Sequence, residues 1–516
     1  MTMRLFLCEK PSQAKDIAAV LGATRRGDGC WLGNGMTVTW CIGHLLETAP
    51  PDAYDAKYKR WVLADLPIIP DKWKMRVKPK TASQFKAVKR LLGEAQELVI
   101  ATDADREGEM IARELVEHCR YRGPIQRLWL SALDDASIRK ALAALKPGAE
   151  TFSLYHSALG RSRADWLIGM NMSRLFTLLG RQSGYQGVLP VGRVQTPTLR
   201  LVVDRDRSIA DFVPVAYWAI DVDLRHAHMT FTAQWRATDD ACDDQGRCLN
   251  PQLARDAADA MTHAASARLV KLRTERMREV APLPFDLGTL QEICSKKLGL
   301  GAQETLDIAQ SLYETHKAIT YPRSDCGYLP LSQHGDAAKI LAALGRADAA
   351  VNELMPHIDP QRRSRAWNDA KVSAHHGIIP TGAGKDVGQL TGKHRAVYTL
   401  IRARYLAQFL PNHEYDRTQA DFDCAGQALR AVGKVVIEAG WKRALPEALA
   451  PAKGREAPAP QALPALVQGQ DYAVAKVNLK DLWTQPPKPF TEGDLIKAMK
   501  NVAKLVEDPL LKQKLK

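Results

Sequence analysis

Two segments of this chain each place a short apolar run directly before a charged turn and an amphipathic stretch, which restricts the N-terminal region to a parallel α/β sheet. In one of them, Leu98-Val99-Ile100 reads as a buried strand and Ala101-Thr102-Asp103-Ala104-Asp105-Arg106-Glu107-Gly108-Glu109 as the turn after it. Upstream, Phe85, Val88, Leu91, Leu92 and Ala95 recur at helical spacing over residues 83–96, and Met110, Ile111, Leu115 and Val116 do the same downstream. The other segment repeats the plan at the start of the chain. There Leu5-Phe6-Leu7-Cys8 is strand-like, Glu9-Lys10-Pro11-Ser12 is the turn, and Ser12 is a candidate cap for a helix running to about Leu21. Ligands bind where such parallel strands end, so Glu9 and the Asp103/Asp105 pair are expected on one rim. A hairpin is expected at Gly33-Asn34-Gly35.

Carboxylates crowded on one rim repel, and keeping them ionised at neutral pH calls for a cation. Magnesium suits the donor set Glu9, Asp103 and Asp105, with help from Glu107, because it takes oxygen ligands and needs few carboxylates beside a phosphate. For Glu107 and Glu109 a plain solvated helix start, favoured by the helix dipole, accounts for the charge equally well.

Far along the chain, Ile319-Thr320-Tyr321-Pro322-Arg323-Ser324-Asp325 sets a phenol two residues before a guanidinium. A phenol is a poor nucleophile at neutral pH, so tyrosine attack on a phosphodiester needs a neighbour such as Arg323 that favours the phenolate and grips the phosphate. Alone, such a tripeptide is also an ordinary turn.

The formal charge of +14 over 516 residues suits a polyanionic partner, nucleic acid or an acidic membrane surface. No stretch reaches the length of a membrane span and no basic-then-apolar signal opens the chain, so a cytoplasmic protein is expected. Nine cysteines without a Cys-x-x-Cys pair argue against a disulfide framework and a zinc ribbon. Residues 151–212 read as helical and basic, with Arg161, Arg163, Arg174, Arg181, Arg193 and Arg200 in a short span. Alternating residues from Ala216 to Leu224 open a β-rich region, helices return at Ala281-Pro282-Leu283-Pro284-Phe285, and β patterning resumes near residue 415, which suggests one discontinuous domain arching out and back. Residues 445–467, rich in Ala and Pro, read as a loop or linker. A groove for single-stranded nucleic acid needs spaced cations and flat side chains, for which Trp61, Trp166, Arg174 and Arg181 are candidates. Gly192, Arg193 and Gln195 add a close backbone approach and two donors.

In order and separation, Glu9-Lys10-Pro11-Ser12, Asp103-Ala104-Asp105-Arg106-Glu107-Gly108, Val191-Gly192-Arg193-Val194-Gln195-Thr196-Pro197 and the Tyr321 motif resemble a type IA DNA topoisomerase, closest to the bacterial topoisomerase III branch. Trp40-Cys41-Ile42-Gly43-His44-Leu45-Leu46-Glu47 and Ala374-His375-His376-Gly377-Ile378-Ile379-Pro380-Thr381 fit that branch too. The resemblance implies a multidomain α/β and α+β toroid. Its parts are a Toprim (Rossmann-like) metal-binding head over 1–150, a helical single-strand-binding segment over 151–214, and a β-rich arch over 215–280 and 406–480. A helical domain over 281–405 carries the tyrosine, and 481–516 begins the second part of the DNA-binding domain. Family members continue further, so the chain reads as C-terminally truncated.

The implied activity is ATP-independent: Tyr321 cleaves single-stranded DNA through a 5′-phosphotyrosine link, with Arg323, Glu9, Lys10 and His375 as catalytic residues. A strand passes, and the break is resealed, relaxing negatively supercoiled or decatenating catenated duplex DNA. A monomer in the bacterial cytoplasm, at the nucleoid, is implied as well. Energy stays in the phosphotyrosine ester. Gly382-Ala383-Gly384-Lys385-Asp386 does not make a nucleotide-binding loop, because Ile379 and Asp386 stand where glycine and a hydroxyl residue are required. Two alternatives remain: a Toprim-type nuclease or primase without a tyrosine adduct, and a truncated, catalytically impaired single-strand-binding fragment.

Overall fold

The computed structural model describes residues 3–372, 375–382, 387–445, 461–505, 509–510 and 513. Most of the Ala/Pro-rich stretch 445–467, residues Ser373 and Ala374 beside the histidine pair, Ala383 to Asp386, and most of the last residues lie outside them.

The N-terminal sheet has seven strands. Its order is Arg25–Gly27, Cys30–Leu32, Met36–Trp40, Arg4–Cys8, Glu97–Ala101, Ile125–Arg127 and Lys146–Pro147. The four strands from Met36–Trp40 to Ile125–Arg127 run parallel, and the hairpin closes across residues 33–35, pairing Leu32 with Thr37. Alternation sorts the side chains between two faces. Leu5, Leu7, Leu98 and Ile100 pack under the helices Ala82–Glu94 and Arg106–His118. Phe6, Cys8, Val38, Val99 and Ala101 join a core that continues into Leu312, Tyr313, Ile319 and Tyr321, so the head and the tyrosine-bearing helical region share one apolar interior.

The first helix spans Pro11–Leu21, with Lys10 at its cap position and Gly22 in the left-handed region ending it. Ser12 therefore sits inside the helix rather than capping it, because Pro11 already fits the first helical turn. The Glu9 N–H is taken by Gln13 Oε1 at 2.9 Å.

Six strands close into an antiparallel barrel. They come from both sides of the helical insert: Ala216–His226, Met229–Trp235 and Ser266–Glu279 before it, and His413–Cys424, Gln427–Glu438 and Asp471–Trp483 after it. Ile220, Val222, Leu224, Phe231, Ala233, Phe422, Leu429 and Ala431 form the core with Ala254, Ala257 and Met261 of the helix Pro251–His263. The out-and-back arch read from the sequence is thus a closed barrel, which leaves no bare sheet edge. Two long helices, Phe152–Gln182 and Gln195–Ala210, lie between head and barrel in the chain. The helix Glu492–Lys500 returns to the helix Leu287–Leu298, with Lys497 on Glu292 at 3.1 Å and Lys500 on Asp286 at 2.5 Å.

Beneath the rim of the head lies a buried charge cluster. Glu109, fully buried, accepts from Arg113 Nε at 3.0 Å, Arg127 Nε at 2.8 Å and Thr151 Oγ1 at 2.9 Å. Removing one side of a buried pair leaves an uncompensated charge. Glu109→Ala is expected to lower stability by about 3–5 kcal/mol, measured by denaturant unfolding.

Candidate active site

Strand register builds the rim. Cys8 pairs with Ala101, so the next residues of both strands emerge side by side, and the Asp103 N–H donates to Glu9 Oε2 at 3.2 Å. Asp105 caps the helix Arg106–His118, its Oδ1 accepting from the Gly108 N–H at 2.6 Å. Gly108 permits this tight turn: a Cβ there would lie 2.3 Å from the Asp103 carbonyl oxygen. Arg127, fully buried, grips the turn from below by donating to the carbonyls of Thr102 at 2.9 Å and Asp103 at 2.6 Å. Nothing in the local pattern of its three-residue strand points to that role.

The carboxylates are unequally served. Asp103 Oδ1 accepts from Gln13 Nε2 at 3.1 Å and Oδ2 from Lys10 Nζ at 3.3 Å. Lys10 also reaches Glu314 Oε1 at 3.2 Å. Burial alone would lower the Lys10 value, but Asp103, Glu9 and Glu314 outweigh it and hold its ammonium above the ordinary lysine range. Glu9 has no such cation to itself. Burial, then the nearby Asp103 charge, push its carboxyl up to about 8.

Tyr321 enters this rim from the helical region. Its segment is laced to a second one by Thr320 N–H to Ile379 O at 2.9 Å and Thr381 N–H to Ala318 O at 2.9 Å, and to the head by Tyr321 N–H to Ser131 O at 3.0 Å. The phenolic O–H donates to Asp105 Oδ2 at 3.2 Å. Tyr313 packs edge-on against the ring at 5.7 Å between centroids, and His375 lies tilted against it at 4.7 Å. Burial, then Asp103, Asp105 and Glu9, drive the phenol well above its ordinary value, so this closed arrangement holds a protonated tyrosine. Arg323 is exposed. Burial lowers His375, keeping its imidazole neutral near pH 7. His376 is pushed down to about 4 by burial, and its Nδ1 lies 2.8 Å from the Gly377 carbonyl.

Glu107 does not join the cluster. Its carboxylate turns away to His44 Nε2 at 2.7 Å, with the side chain 61% exposed, while Glu114 takes the other ring nitrogen at 2.9 Å. Burial would lower His44, but the hydrogen bonds to Glu107 and Glu114 outweigh it and lift the imidazole to about 9. A charged histidine thus holds Glu107 off the rim.

Among the described residues no three His, Cys, Asp or Glu side chains are arranged to hold a metal ion. The donor chemistry nevertheless fits a hard dication at Glu9, Asp103 and Asp105. All three supply oxygen, and Glu9 is pushed toward neutrality by crowding that a cation would relieve.

The nucleic-acid candidates divide. Arg174 is buried, its guanidinium 5.1 Å over the Trp61 ring and Nη1 donating to Tyr58 O at 2.9 Å, so Arg174 and Trp61 brace each other instead of offering a free cation and a bare ring. Trp166 is wedged edge-on between Tyr54 and Trp73, which makes it packing rather than a platform. Arg163 lies over Trp73, Arg200 pairs with Asp204, and Arg193 pairs with Asp165 at 2.8 Å. The sequence run of six arginines is therefore largely spoken for. Arg161 and Arg181 stay exposed, as does Gln195 at the start of its helix. Burial, then Arg106 and Arg193, lower Arg161, which marks a crowd of cations beside the rim. Gly192 donates its N–H to Thr196 Oγ1 at 3.0 Å.

Residues 4–133 match the family model for the Toprim domain, and residues 149–504 that for DNA topoisomerase. The chain is 40% identical to the DNA topoisomerase 3 of Vibrio cholerae over 99% of its own length and 80% of that protein. It is 41% identical to the Salmonella typhimurium DNA topoisomerase 3, over 99% and 79% of the two chains. The solved full-length topoisomerase I of Thermotoga maritima shares the fold with a TM-score of 0.71 at 22% identity, over 99% of this chain and 77% of that one. Toprim domains generally bind metal, and these relatives act on DNA. Matched along nearly its whole length, the chain belongs to the type IA DNA topoisomerases, in the topoisomerase III group.

Proposed function

We propose that this chain cleaves one strand of DNA through Tyr321, holds the break as a 5′-phosphotyrosine ester, lets another strand pass and reseals it without ATP. The observation that carries the reading is the phenolic oxygen of Tyr321, 3.2 Å from Asp105 on the same rim as Glu9 and Asp103. In the forward step the phenolic oxygen bonds to phosphorus as the bond to the 3′ oxygen breaks. The phenol proton passes to a carboxylate, Asp105 being nearest, and the departing 3′ oxygen takes a proton from Lys10 or Glu9. Lys10, whose ammonium Asp103, Glu9 and Glu314 hold above the ordinary lysine range, keeps a proton to give, and Glu9 could give one only with no cation on its oxygens. Resealing runs these transfers backwards.

The phenol is held protonated in the closed form, so attack needs the local negative charge offset. Magnesium, held by Glu9, Asp103 and Asp105, would supply that positive charge and help to seat the phosphate. Arg323, exposed and two residues from the nucleophile, is free to swing onto the phosphate oxygens. His375, which lies against the tyrosine ring, would hydrogen-bond the phosphate or relay a proton.

Single-stranded DNA would reach the rim past Arg106, Arg161, Arg193, Gln195 and Arg181, with residues 151–214 and those from 481 onward forming the strand-binding domain. The head, the arch and the tyrosine-bearing domain would divide as 1–150, 215–280 with 406–480, and 281–405. Negatively supercoiled or catenated duplex DNA is the expected substrate, and a monomer in the bacterial cytoplasm the working form. Among the described residues no helix is long and apolar enough to cross a membrane.

Tyr321→Phe should abolish the protein–DNA adduct on denaturing gels while single-strand affinity is unchanged; an undiminished adduct would refute the assignment. Chelating divalent cations should stop relaxation of negatively supercoiled plasmid, and restoring magnesium should recover it. Single-strand affinity should fall linearly in log–log plots against salt, with a slope of about −0.7 for each phosphate neutralised.

A further inference from the structure

We propose that Glu314 is a positioning residue that aims the Lys10 ammonium only while the tyrosine-bearing body is closed on the head; the inference rests on the function proposed above. Lys10 stands at the start of the head's first helix, and Glu314 is the last residue of the helix Ala302–Glu314, one residue after the Tyr313 that packs on Tyr321. The two are 304 positions apart in sequence and meet across the seam that must part for a strand to pass.

An ammonium has three N–H donors. Asp103 Oδ2 at 3.3 Å takes one and Glu314 Oε1 at 3.2 Å takes a second. Two anchors on different bodies fix the tripod, which sets the direction of the third N–H. That donor is the one left for the 3′ oxygen that leaves when the bond from Tyr321 to phosphorus forms. With the seam open, Lys10 would keep Asp103 alone and could swivel about that single contact. Glu314 itself is steadied by Gln310 Nε2. The hydrogen bond from Lys10 to the 3′ oxygen, in cleavage and in resealing, is thereby tied to the closed state, when both ends of the break are in register.

Other pairs cross the same seam without touching the rim. Lys317 meets Asp16, and Lys140 meets Asp336 at 3.1 Å, the latter pair more than half exposed on each side. They provide the control that separates aiming from simple closure.

The experiment is single-turnover cleavage and resealing of a single-stranded oligonucleotide at saturating protein, with magnesium, for the wild type, Tyr321→Phe, Glu314→Ala and Asp336→Ala. Glu314→Ala, which removes the acceptor, is expected to slow both steps by about 10- to 100-fold, with single-strand affinity and melting temperature unchanged, while Asp336→Ala cleaves at the wild-type rate. Cleavage by Glu314→Ala at the wild-type rate would overturn the inference. So would equal slowing of both variants, which would reduce Glu314 to one more closure contact. A wild type that forms no Tyr321-dependent adduct would instead bring down the proposed function, and this inference with it.

Discussion

Two parallel strands that end level with one another bring Glu9 and Asp103 within a hydrogen bond, and every other feature of the rim answers that crowding. Gln13 and Lys10 occupy the Asp103 oxygens, Arg127 holds the turn's carbonyls, and Glu109 beneath neutralises Arg127 in a fully buried pair. Such a pair costs desolvation on both sides. Here it supports a backbone bend that Gly108 alone allows, since any side chain would collide with the Asp103 carbonyl.

The same concentration of negative charge governs the nucleophile. Set among three carboxylates and buried at the seam, the Tyr321 phenol resists losing its proton. An incoming phosphate would add further negative charge, which in the reaction proposed above a cation and the exposed Arg323 would offset. Closure is likewise a matter of charge: Lys10 with Glu314, Lys317 with Asp16 and Lys140 with Asp336 tie the head to the tyrosine-bearing region over a shared apolar core. Of these pairs, Lys140 with Asp336 is more than half exposed on each side, and a pair so exposed gives up little energy when broken.

Much of this was legible along the chain because it is local. The strand–turn–helix units, the Asp105 turn, the hairpin at residues 33–35 and the split β region all follow from side-chain periodicity and turn chemistry, which neighbouring residues encode. The exceptions are instructive. Ser12 gave way to Lys10 as the cap because Pro11 already suited the first helical turn. Trp61, Trp166 and Arg174 had the composition of a nucleic-acid groove, yet aromatic and guanidinium groups serve packing equally well, and only their neighbours distinguish the uses. Glu107 had the right type and place for a metal ligand, but His44, 63 positions earlier, turns it away.

By itself the sequence determined the kinds of groups at work, a phenol, a set of carboxylates, a lysine and an arginine, and the strand ends and turns that present them. The tertiary structure alone decided which of them meet: Tyr321 with Asp105 across 216 positions, Lys10 with Glu314 across 304, Glu107 with His44 instead of Asp103. Periodicity records whether a side chain faces a core or water. It carries no record of which distant partner stands opposite, because that depends on how segments far apart in the chain pack together.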